Sequence, residues 1–187
     1  MNPTMISKTH FAKWHISLGL GFALLLAASC STAPKPNPEA EAAAAALQKR
    51  ANEGRIYVGK VTLAQQEYHK SHAEYSSDLK ALLVEQKIDF ITESENYTYS
   101  TAESEDGKAF TMTAIPKGED LPSIIGMVHV YATVDETPSP VDGKTYVTST
   151  SDRRICETVG PSKAPPSTPV IDMLSLTCAP DTQESKW

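Results

Sequence analysis

Apolar residues recur at steps of three and four from Leu47 through Ala51, Gly54, Val58, Val61 and Ala64 to Tyr68, which draws a single stripe down one helix face. The start of that helix is written just upstream. Asn37 offers an acceptor to an orphan backbone N–H, Pro38 has a pre-set φ and no N–H to lose, and Glu39 and Glu41 sit at the positive end of the dipole. The alanine run 42–46 that follows is helix-prone but has little apolar surface to bury. The pattern predicts one helix from Pro38 to about Tyr75, roughly 50 Å long at 1.5 Å per residue, and too long for a small domain to cover. Gly54 and Gly59 each cost about 1 kcal/mol against alanine in a helix interior, so close approach of another element, or a slight bend, is expected there. Ser77 or Asp78 then caps a short second helix through Leu79, Leu82 and Leu83.

From Ile88 the period changes to two. A β-rich stretch at 97–101, a turn containing Asp106 and Gly107, and a second stretch at 109–115 with Phe110, Met112 and Ala114 on one face read as a hairpin. The strongest strand is 124–134, with Val128, Val130, Ala132 and Val134 on one side and Met127, His129, Tyr131 and Thr133 on the other. Pro138, Pro140, Asp142 and Gly143 connect it to a fourth strand at 145–150, which 154–159 extends. The fold class is therefore α+β: a long N-terminal helix packed on an antiparallel sheet of about four strands, with the helix stripe covering one sheet face.

The first thirty residues read as an address. Lys8 and Lys13 precede a short apolar run, 16–28, too short for a membrane span and suited to a secretory signal. The run ends Leu26-Ala27-Ala28-Ser29-Cys30, which resembles the lipobox of bacterial lipoproteins, where the cysteine is acylated and becomes the first mature residue; Ala27 stands where the pattern prefers leucine. The alternative is an ordinary signal peptide with Cys30 left as a free thiol. A prepilin leader, suggested by Gly21-Phe22, is rejected because Leu26 occupies the position that needs glutamate and the apolar run stops at Cys30. The organisation expected is a lipoprotein signal peptide (1–29), a lipidated cysteine with a Pro-rich tether (30–37), a globular domain (38–160) and a Pro-rich C-terminal segment (161–187) whose last residues, 181–187, fray. The alanine-rich first third of the helix projects toward the membrane. Removing the leader leaves 15 basic residues against 23 acidic ones, the wrong sign for a nucleic-acid partner.

Cys156 and Cys178 remain. In an exported protein they suggest a disulfide closing a loop of about twenty residues, worth roughly 3 kcal/mol by chain entropy. The alternative is two reduced thiols.

The segment Gly59-Lys60-Val61-Thr62-Leu63-Ala64-Gln65-Gln66-Glu67-Tyr68 is similar to the helix motif of the bacterial type IV pilin-like G and H family, in which a glycine is followed by an alanine, paired glutamines and an aromatic. Glu95-Asn96-Tyr97-Thr98-Tyr99 resembles that family's first-strand motif and Ile155-Cys156-Glu157 its closing one; the resemblance covers roughly residues 50–160. It implies a pilin-like roll. Two departures stand out: Thr62-Leu63 replaces an Asn-Arg pair, altering a surface contact, and a lipobox with a tether replaces the hydrophobic half-helix through which true pilins polymerise. The C-terminal cysteine pair also resembles the disulfide-closed loop of pilins, a region that carries surface contacts.

Candidate chemistry is sparse. His69 and His72, three apart on the helix near Glu67 and Glu74, offer two metal ligands without an evident third, and a solvated helix face explains them more simply. Tyr97, Tyr99 and Tyr131 form either an aromatic binding face or cross-strand packing. No Gly-x-Ser-x-Gly elbow or phosphate-cradling glycine loop occurs, so no catalytic residue and no cofactor are assigned. The expectation is a non-catalytic, membrane-anchored envelope lipoprotein, held in the cell or outer membrane through acylated Cys30. Its head, in the periplasm or on the surface, would contact envelope or pilus proteins. The alternative is a small-ligand or metal-binding module on a reused pilin-like scaffold.

Overall fold

The computed structural model describes residues 37–135, 141–142, 146–172 and 175–186. The expected leader, Cys30 and the expected tether to residue 36 lie outside them, as do Pro138, Pro140 and Gly143 of the predicted third connection. Helix α1 spans Pro38–His72, and Asn37 caps it by accepting the Glu39 N–H at 3.1 Å. It ends short of the expected Tyr75 because Ala73 turns left-handed at φ 60° and donates its N–H to the His69 carbonyl at 2.8 Å. Gln65 then pins the turn. Its fully buried amide accepts the Ser76 N–H (2.8 Å) and donates to the Ser76 carbonyl (3.0 Å), leaving neither end unpaired. Asp78 caps α2 (Leu79–Glu85) through the Ala81 N–H at 2.9 Å. No helix among the described residues is long and apolar enough to cross a membrane.

Seven strands follow among the described residues: β1 (Tyr97–Glu103), β2 (Ala109–Pro116), β3 (Ile124–Asp135), β4 (Tyr146–Thr158), β5 (Val170–Asp172), β6 (Ser175–Thr177) and β7 (Thr182–Glu184). The first four form the predicted antiparallel meander, and the stretches expected at 145–150 and 154–159 are one continuous strand. A short fifth strand joins it. The order is β1-β2-β3-β4-β7, so the tail expected to fray instead pairs with β4, Cys156 opposite Glu184 and Thr158 opposite Thr182. β5 and β6 make a separate hairpin.

The stripe on α1 is buried from Ala51 to Ala64 and half-buried at Tyr68, while Leu47 is 37 % exposed and every residue from Pro38 to Lys49 is exposed. Val58 and Val61 pack against Tyr97, Met112, Ile124 and Val128 on the sheet. Contact is tight at two glycines. A Cβ on Gly54 would lie 2.8 Å from Ile124 Cδ1, and one on Gly126 of β3 would lie 2.6 Å from Val58 Cγ1. Thr62 fits into that same close approach, fully buried, its hydroxyl donating to the Val58 carbonyl at 2.8 Å. Of the Thr62-Leu63 departure, then, only Leu63 reaches the surface.

Candidate functional site

β3 is the central strand and is buried on both faces, Val128 toward α1 and Met127 away from it. On the away-facing side Leu176 of the C-terminal segment packs over β2 and β3. Cys156 on β4 bonds Cys178 just after β6, with Cα atoms 5.6 Å apart. Asp152 and Arg154, two residues apart and so on the same face as Cys156, grip the backbone of Leu176: Asp152 Oδ2 accepts its N–H at 2.8 Å and Arg154 Nε donates to its carbonyl at 3.0 Å. Arg154 also pairs with Glu184 of β7 at 2.7 Å. Leu176 is thereby pressed, fully buried, onto Met127 and Ala109.

A second junction lies on the helix side. Arg55 of α1 and Glu157 of β4, both nearly enclosed, form an ion pair at 2.6 Å. Asn52 accepts from Arg55 Nη1 (2.8 Å), while the Ser185 hydroxyl donates to the same Glu157 oxygen at 3.0 Å. Helix, central sheet and C-terminal strand thus meet at one carboxylate. A charge so deeply placed is tolerable only because its lone pairs are occupied, and removing either partner would strand the other.

The residues singled out in the sequence are dispersed. Tyr97 and Tyr99 face α1, whereas Tyr131 lies on the opposite side of the sheet against His129 (ring centroids 4.4 Å), so the three do not make one aromatic face. The His129 Nδ1 and the Tyr131 hydroxyl are both buried without a hydrogen-bond partner among the described residues. Burial holds the His129 imidazole below its ordinary pKa, against the opposing pull of Asp106, and raises that of Tyr131. His72 stacks on Tyr68 at 3.9 Å, while His69 leans on Tyr75 at 4.9 Å, where burial lowers its pKa. The two imidazoles therefore serve different aromatic partners, and among the described residues no three His, Cys, Asp or Glu side chains are placed to hold a metal ion. Tyr75, beyond the helix end, is buried with its hydroxyl 3.1 Å from the carbonyls of Lys108 and Val128.

Sequence reading missed the Arg55–Glu157 pair and the Asp152/Arg154 grip on Leu176. One signal was present: Glu157 follows Ile155 at the strand period, which puts a carboxylate on an inward face. Nothing local names its partner 102 residues away.

The sequence pattern of the type IV pilin-like G and H family matches residues 51–179. The match begins where α1 becomes buried and ends one residue beyond Cys178. No curated protein and no solved structure matches the chain.

Proposed function

The chain belongs to the type IV pilin-like G and H family, and on that premise we propose that it is a non-catalytic, membrane-anchored envelope lipoprotein acting by protein contact in pilus-related or cell-surface assembly. The observation that carries this reading is the family match running from the buried part of α1 through the disulfide, on a chain in which Leu26-Ala27-Ala28-Ser29-Cys30 resembles a lipobox. The mechanism is tethering. Acylation at Cys30 places the head at a membrane face, and the stiff Pro-rich tether sets it off from the lipid. The exposed first part of α1, residues 38–49, adds about 18 Å of helix at 1.5 Å per residue. One acyl chain anchors only marginally, so stable attachment calls for the multiply acylated cysteine of lipoproteins. The polar loops and the disulfide-tied segment make the contacts.

Cross-linking in cells, followed by recovery of the tagged protein from solubilised envelope, is expected to enrich pilins or pilus-assembly proteins; enrichment of neither would refute the assembly role. Separately, Cys30→Ser should move the protein from the membrane pellet to the soluble fraction after a salt wash. A variant that stayed in the pellet would rule out the lipid anchor.

A further inference from the structure

β7 covers the outer edge of β4 only from Cys156 to Thr158, with the Ser185 N–H reaching the Ile155 carbonyl at 3.0 Å. In an antiparallel ladder alternate residues turn both backbone groups the same way, so the outward groups short of Ile155 belong to Arg153, Ser151 and Ser149. The Arg153 N–H is taken by the neighbouring Asp152 Oδ1 at 2.7 Å, and the Ser151 carbonyl accepts a long bond, 3.4 Å, from the Gln66 amide. Among the described residues no strand pairs with this edge at Ser149, Ser151 or Arg153. Such an edge is a template for another chain.

The same stretch carries a cation without a counter-ion among the described residues. Arg153 lies half-buried on the helix side of β4, and its Nη1 donates to the Gly59 carbonyl at 3.4 Å. Arg55 and Arg154 each pair with a carboxylate, whereas Arg153 has none within ion-pair distance among the described residues. A guanidinium drawn partly out of water is unfavourable until an acid meets it. Burial lowers its pKa accordingly. Two hollows lie along the edge, one of ≈ 110 Å³ lined by Arg153, Ile155, Glu184 and Ser185, the other of ≈ 150 Å³ where His69 and Lys70 face Ser149 and Ser151. Glu184 in the first is already held by Arg154.

We propose that the outer edge of β4 at Ser149–Arg153 accepts an extended acidic segment of a partner protein as an added strand, with one of its carboxylates pairing with Arg153. Main-chain bonds to Ser149, Ser151 and the Arg153 carbonyl set the register. The carboxylate on the helix-facing side reaches the guanidinium, and the side chain two residues along enters the His69 hollow. A second copy of β4 is a poorer occupant, because the helix-facing residues Ser149, Ser151 and Arg153 supply no acid to one another. The proposal rests on the protein-contact reading above and adds to it the surface and the charge of the partner.

The test uses the full-length protein, isotopically labelled in detergent and titrated with an acetylated, amidated octapeptide of alternating threonine and glutamate. Exchange of the Ser149 and Ser151 amides should slow and binding should saturate below about 1 mM. Arg153→Gln should weaken it about tenfold, and a peptide with lysine in place of glutamate should not bind. Unchanged binding by Arg153→Gln, equal binding of the lysine peptide, or no slowing at those two amides would overturn the proposal. A photo-cross-linker in cells separates it from the broader reading. Capture of pilus proteins from Lys80 on α2 but not from Ser149 removes the β4 edge while the contact role stands; capture from neither position counts against both.

Discussion

The two faces of the sheet are closed by different physics. Toward α1, Tyr97, Met112, Ile124 and Val128 meet Val58 and Val61 in a continuous apolar layer, each almost completely removed from water. On the other face a small cluster, Ala109, Met127 and Leu176, is held under a segment fixed by one disulfide and by the Asp152/Arg154 grip on Leu176. The first closure sums many non-directional contacts and is expected to yield only when the domain unfolds. The second depends on a few directional bonds and is expected to open alone.

The sharpest way to break that contrast is to cut one element of each. Ile124→Ala removes a fully buried side chain that touches Gly54 of the helix, and should cost about 4 kcal/mol. The loss should appear in denaturant unfolding of the full chain as one cooperative shift. Cys156→Ser with Cys178→Ser should cost about 3 kcal/mol by the chain-entropy account. Here hydrogen exchange should quicken within residues 161–186 while amides of β2 and β3 facing α1 remain protected. If the whole sheet loosened equally, the two faces would not be independent.

The smallest effect concerns pH. Burial puts the folded pKa of His129 below its unfolded value, so as pH falls through about 6.5 the unfolded chain takes up the proton first and stability declines. The contribution is fully present above that range. Folding free energy measured between pH 7 and 5 should therefore fall, and His129→Gln should flatten the slope. An unaltered slope would assign the acid sensitivity to His69, whose pKa burial also lowers.

Much of this architecture was legible in short windows. Asn37 and Asp78 cap the helices, Asp106-Gly107 turns the hairpin, and the alternation through Val128 and Val130 marks the central strand. Those signals act within a few residues, so a local reading finds them. The tail misled it. Residues 182–184 have little apolar content, and their strand exists because β4 offers an edge there and Glu157 holds the Ser185 hydroxyl. The aromatic residues misled it too, since one strand period cannot say on which side of a sheet Tyr97 and Tyr131 will lie.

The sequence by itself determined the order and type of the main elements and the cysteines available for pairing, because caps, turns and hydrophobic periods are properties of neighbours along the chain. The tertiary structure alone decided that Arg55 meets Glu157, that Leu176 is clamped between Asp152 and Arg154, and that Arg153 reaches the Gly59 carbonyl of the helix. Each of those pairs lies 22 to 102 residues apart. Such contacts depend on how the helix and the sheet pack in three dimensions, which no local period encodes.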